Sequence, residues 1–197
     1  MSKLNVVLLF VVVVAINSAS AALPSPLEVL TGTLKNMNQI RNTLFCLAHS
    51  CDPFAIQKAI LIDDVSEFEL KQRTIKPETK ADRVMKLSSV VAEASKKLLA
   101  IDPNCKNPSY TCPTPHPISL PKEIYDFENA MGNILAYSKC TTLADFPEII
   151  SLLSDSVEYI ENNRDSSGTS FQRVVPAVEL VARGFKNICD RRGQTVQ

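Results

Sequence analysis

The clearest structural pattern in the chain is VMKLSSVVAEASKKLLAI at residues 84–101. Its apolar positions recur at intervals of 3, 4, 3, 4 and 3 residues, which places them on one face of an α-helix. They are Val84, Leu87, Val91, Ala94, Leu98 and Ile101. A helix with a single apolar face is not stable alone, because nucleation is unfavourable and that face must be covered. We therefore expect the rest of the chain to supply helices that pack against this one.

Five other segments show the same helical spacing of apolar residues. The predicted starts are Leu27, Asp52-Pro53, Pro121, Thr142 and Ser170, and Pro77 opens the helix described above. Pro176 falls inside the last segment, so we expect either a kink there or a helix start near it. Between Val65 and Ile75 apolar and charged residues alternate, but we favour a helix because no second strand is available.

These segments predict an all-α fold, a single bundle of about six helices with up-and-down connectivity. One long loop, residues 102–120, contains five prolines and is expected to form no helix. We see no domain boundary after the N-terminal region, so residues 22–197 are interpreted as one helical domain. The protein is expected to be a monomer or to associate weakly.

The first 21 residues resemble a secretory signal peptide. Lys3 provides the positive flank, Val6 to Ile16 is an apolar run, and Ala19-Ser20-Ala21 suits cleavage after Ala21. A membrane anchor is the alternative, but the run is shorter than the ~20 residues that span a bilayer. The pattern predicts a secreted, extracellular protein without a membrane anchor.

An even number of cysteines in an oxidising compartment favours disulfides. They are Cys46, Cys51, Cys105, Cys112, Cys140 and Cys189. In an up-and-down bundle the fourth and sixth helices end at the same pole. Cys140 follows the fourth helix and Cys189 lies at the end of the sixth, which favours a bond between them. By the same reasoning Cys46 and Cys51 would bond to Cys105 and Cys112, in an order that the sequence leaves open. The alternative is local pairing, Cys46 with Cys51 and Cys105 with Cys112.

The sequence contains few of the patterns that indicate chemistry. The formal net charge is +0, and no basic face or glycine-rich phosphate loop suggests a nucleic acid or a nucleotide. No Gly-x-Ser-x-Gly motif is present, and the adjacent Asp63 and Asp64 suit a solvated helix end. A group at one pole could in principle bind zinc, but its spacing fits no usual site; its members are Cys46, His49, Cys51, Cys112 and His116. We expect no enzyme activity, no metal and no cofactor.

Binding is the function that remains. The first hypothesis is a secreted, non-catalytic protein that binds an extracellular protein partner. The alternative is an extracellular carrier of a small apolar ligand, which needs an interior cavity of about 300 Å³ or more. Seven phenylalanines would line such a cavity, although we favour their filling the core; they are Phe45, Phe54, Phe68, Phe127, Phe146, Phe171 and Phe185.

Overall fold

The computed structural model describes residues 25–62, 79–107, 109–114, 120–163 and 170–193. Within these ranges the protein is an all-α bundle, with no strand. Its α-helices are α1 (Pro26–Ala48), α2 (described over residues 55–62), α3 (Lys80–Ile101), α4 (Lys122–Ser138), α5 (Phe146–Asn162) and α6 (Ser170–Arg191). Short 3₁₀-helices occupy Pro103–Lys106 and Leu143–Asp145. The predicted signal peptide, the Val65–Ile75 segment and the Pro77 helix start lie outside the described residues.

Two long helices begin with a capping box, in which a hydroxyl and a carboxylate three residues apart bond each other's backbone amides. Ser25 Oγ accepts from the Glu28 amide at 3.2 Å, and Glu28 Oε2 accepts from the Ser25 amide at 2.6 Å. Thr79 and Asp82 make the same pair of bonds before α3, at 3.2 and 3.0 Å. These bonds satisfy amides that a helix start leaves unpaired, and they explain why α1 and α3 begin where they do.

Two expectations about prolines are wrong in part. The loop at residues 102–120 includes a 3₁₀-helix that starts at Pro103, a position where the missing N–H costs nothing. Asp102 caps it by accepting from the Asn104 amide at 3.0 Å. The last helix begins at Ser170 and continues through Pro176, so a start near Pro176 is wrong. Phe171 is buried before the proline, and this packing holds the first turns of α6 in place.

The five long helices form a closed ring, in which each packs mainly against two neighbours. The order around the ring is α1, α3, α5, α6, α4 and back to α1. α3 and α5 are parallel, since Lys80 Nζ donates to Ser151 Oγ at 2.7 Å and Lys86 Nζ to Glu161 Oε1 at 2.9 Å. α2 adds buried side chains to the core at one end of the ring; they are Ala55, Ile56 and Ala59.

α4 and α6 are also parallel. Near their first turns Gln172 Nε2 donates to Glu123 Oε1 at 2.8 Å, and beyond the end of α4 Cys140 bonds to Cys189 of α6. Helices separated by one other helix along the chain thus run in the same direction, which is the predicted up-and-down connectivity. Of the helices described, none is both long enough and apolar enough to cross a membrane.

Candidate functional site

The six cysteines form three disulfides that hold both ends of the ring. At one end, Cys46 bonds to Cys105 with a Cα–Cα distance of 5.7 Å. Cys51 bonds to Cys112 at the same end, and Cys140 bonds to Cys189 at the other, each with a Cα–Cα distance of 5.5 Å. The nonlocal arrangement is the one that helix direction favours, and the local alternative is wrong. We call the end that carries the first two bonds the disulfide pole.

A hydrogen-bonded turn joins α1 to α2 at the disulfide pole. Ser50 is fully buried, donates from Oγ to Asp102 Oδ2 at 3.1 Å, and accepts from the Asp52 amide at 3.0 Å. Asp52 Oδ1 in turn accepts from the Phe54 amide at 2.9 Å. The bond from the Lys58 ammonium, followed by the Phe54 amide, lowers the pKa of the Asp52 carboxyl. Together with two disulfides, these bonds fix the backbone that carries Phe54.

Large apolar side chains are exposed at this fixed end of the molecule. Phe45 is 58% exposed and Phe54 is 63% exposed. The centroid of the Phe45 ring lies 4.8 Å from that of His49, the residue that caps the C-terminus of α1. Leu61 of α2 is 64% exposed and follows Phe54 by seven residues, which places it on the same side as Phe54, the residue directly before α2. This end therefore combines a rigid backbone with apolar side chains in solvent.

The phenylalanines do not act as one group, contrary to the expectation that they line a cavity or fill the core together. Phe127 lines the interior cavity described below and packs edge-on against Phe171, with ring centroids 5.1 Å apart. Phe185 is fully buried. Phe45 and Phe54 are exposed, so for these two both expectations are wrong. Phe68 lies outside the described residues.

A cavity of about 110 Å³ lies at the centre of the ring, and all five long helices contribute to its wall. The wall consists of Met37, Ile40, Leu87, Val90, Val91, Ala94, Phe127, Met131, Ile134, Leu153, Ser156, Ile160, Val174, Ala177, Val178 and Val181. The volume is well below the about 300 Å³ typical of sites for larger ligands. The size of the interior therefore counts against a carrier that holds its ligand in a site of about 300 Å³.

A shallow polar depression of about 250 Å³ lies on the outside of the bundle, between α4 and α6. Its charged and amide side chains are Asp126, Asn129, Asn133, Glu179 and Arg183. Asp126 pairs with the Lys122 ammonium, which raises the pKa of Lys122. These groups are open to water, and the depression places no nucleophile beside a base, the pairing that covalent catalysis requires.

The described members of the group considered for zinc binding are not arranged as a metal site. Cys46, Cys51 and Cys112 are in disulfides and have no free thiolate. His49 Nδ1 lies 2.9 Å from the carbonyl oxygen of Phe45. His116 lies outside the described residues, as do Asp63 and Asp64. In the part of the chain that the structure describes, no three His, Cys, Asp or Glu residues are grouped to hold a metal ion.

One feature of the sequence indicates the exposed pole. The apolar stripe of α1 runs through Leu44 and Leu47, and Phe45 lies off that stripe. A large apolar residue outside the stripe of a well-patterned helix indicates exposure, and several such residues at one end of a molecule indicate a contact surface. No protein-family model, no curated protein and no solved structure matches this chain. The functional conclusions therefore rest on its own residues.

Proposed function

We propose that the protein is a secreted, non-catalytic binding protein that contacts an extracellular protein partner through the disulfide pole. The observation that carries this proposal is the exposure of Phe45 and Phe54, at 58% and 63%, on a backbone fixed by two disulfides. Buried against a partner, each ring would contribute about 1–2 kcal/mol, since full burial of a phenylalanine contributes about 1.5–3 kcal/mol.

The rigidity of the pole supports the same proposal. A surface that is already ordered loses little conformational entropy on binding, so more of the apolar burial appears as affinity. The Cys46–Cys105 and Cys51–Cys112 bonds and the buried Ser50 hydroxyl supply that order. The three disulfides and the N-terminal apolar run both fit export to an oxidising compartment. The alternative, a carrier of a small apolar ligand in an interior site of about 300 Å³ or more, is disfavoured because the cavity measures about 110 Å³.

The first experiment locates the partner. A photo-crosslinking phenylalanine analogue replaces Phe54 in the secreted, oxidised protein, and the matched control carries the analogue at Leu143. Leu143 is 70% exposed and lies beside the Cys140–Cys189 bond at the other pole. In the extracellular fluid of the producing cells, we expect one protein to crosslink from position 54 and not from position 143.

The second experiment measures how much of the affinity depends on the pole. We expect the double variant Phe45→Ser/Phe54→Ser to bind the purified partner at least tenfold more weakly, the size of effect seen when interface hot spots are truncated. Leu143→Ser should bind within twofold of the wild type. Equal affinity of the pole variant and the wild type would contradict the proposal, as would crosslinking that is the same from both poles.

A further inference from the structure

The central cavity exists because two facing helices present small side chains. α6 contributes four residues to the wall, and all are valine or alanine: Val174, Ala177, Val178 and Val181. α3 contributes Val90, Val91 and Ala94 beside one leucine. These two helices are not adjacent in the ring, so their short side chains leave a gap between them that larger residues from the other helices do not fill.

The wall of the cavity offers no free polar group to a guest. Ser156 is its one polar side chain among the described residues, and its hydroxyl donates to the Leu153 carbonyl at 2.7 Å. An apolar cavity without hydrogen-bond partners stays free of water, because a buried water needs two to four polar contacts. Such a space disfavours ions and polar solutes, which would lose their hydration without compensation.

Only part of the wall reaches the surface. Leu87, Val91 and Ala94 on α3 and Val174 on α6 are partly exposed, whereas Met37 and the other lining residues are buried. Near its last residue α5 pairs with α3 through Lys86 and Glu161. From that point α3 continues for 15 residues to Ile101, about 22 Å. The partly exposed residues therefore lie next to the end of α5, and we expect a small molecule to enter on this side, between α3 and α6.

We propose that this cavity is a binding site for one small, uncharged, apolar molecule no larger than benzene. The volume sets the limit, because 110 Å³ is somewhat smaller than the about 150 Å³ apolar cavity that is known to bind benzene or xenon. The apolar wall sets the chemistry, and the gap between α3 and α6 provides access. This site is separate from the disulfide pole, so the proposal does not depend on the proposed protein partner.

The methionines of the protein provide a direct test. Met37 and Met131 line the cavity, whereas Met85 is 39% exposed, does not line it, and serves as an internal control. In protein with ¹³C-labelled methionine methyl groups, saturating benzene should shift the Met37 and Met131 signals and leave Met85 unchanged. Benzoate, which has the same ring and a charge, should shift none of them. Unchanged Met37 and Met131 signals, or an equal shift at Met85, would overturn the proposal.

A pair of variants ties the binding to the cavity. Ala94→Leu extends a side chain into the cavity and should weaken benzene binding at least tenfold. Ala100→Leu makes the same change on the same helix at an exposed position, and should bind within twofold of the wild type. Wild-type affinity in Ala94→Leu would refute the proposed location. If Ala94→Leu does not fold, the methionine shifts in the wild-type protein still decide the question.

Discussion

The ring depends on a close contact between α5 and α6, and two glycines make that contact testable. A Cβ atom added at Gly184 of α6 would lie 2.5 Å from Leu152 Cδ2 and 3.0 Å from Leu152 Cγ on α5. At Gly32 of α1 an added Cβ would have no neighbour within 4 Å. Both glycines lie inside helices, so the same Gly→Ala substitution is made in similar backbone surroundings with opposite steric consequences.

The two substitutions are expected to change stability in opposite directions. Replacing a glycine inside a helix with alanine stabilises it by about 0.5–1 kcal/mol, because glycine loses more backbone entropy on folding. Gly32→Ala should show that gain in full. Gly184→Ala adds an overpacking cost of about 1–3 kcal/mol, since Leu152 must leave its position, for a net loss of about 1 kcal/mol. For a protein of this size the two melting temperatures should differ by about 4–8 °C.

The measurement is denaturant unfolding of the oxidised protein, followed by far-ultraviolet circular dichroism. Leu152→Ala provides the control, since it removes the atoms that the new Cβ would meet. In that background Gly184→Ala should be neutral or stabilising, although Leu152→Ala alone lowers stability. The close α5–α6 contact is refuted if, with Leu152 present, Gly184→Ala stabilises the protein as much as Gly32→Ala does.

Two further predictions concern the pole that carries the third disulfide. The variant Cys140→Ala/Cys189→Ala opens a loop of 49 residues, and the chain-entropy relation gives a loss of about 4 kcal/mol; a loss below about 1 kcal/mol by denaturant unfolding would contradict it. Bonds from the Thr142 amide, and then from Arg192, lower the pKa of Asp145, while desolvation opposes them. The ionised Asp145 carboxylate therefore stabilises the fold above about pH 4, and this stabilisation is lost as the pH falls further. Below pH 4 the free energy of unfolding of Asp145→Asn should fall less steeply with pH than that of the wild type. The same pH dependence in both proteins would count against these bonds.

Helix spacing predicts the all-α architecture because it depends only on local periodicity. The stripe from Val84 to Ile101 lies within α3, and its two end residues are buried or partly buried. Helix direction follows from the same pattern, since consecutive helices with short connections alternate. That alternation is sufficient to place Cys140 beside Cys189. At the other pole four cysteines meet, so the alternation does not decide which of them bond to each other.

The ring and its cavity could not be predicted in this way. A stripe shows which face of a helix is covered, but not which helix covers it, so the order α1, α3, α5, α6, α4 depends on nonlocal packing. The small residues of α6, such as Val174 and Ala177, look like ordinary core positions until α3 is placed opposite them. The same limit explains Phe45 and Phe54, whose exposure depends on what lies outside their helices.

The cavity and the disulfides are connected through the stability of the ring. An unfilled volume of 110 Å³ costs about 2.6 kcal/mol at about 24 cal/mol per Å³. A leucine in place of Ala94 on α3 or Val178 on α6 would fill much of that space. The gap is therefore a property of this sequence and not of helix packing in general. A single disulfide contributes about 2–4 kcal/mol, which is enough to offset the gap. The Cys140–Cys189 bond joins the last turn of α6 to a residue two positions beyond the end of α4, so it holds these two neighbouring helices of the ring together.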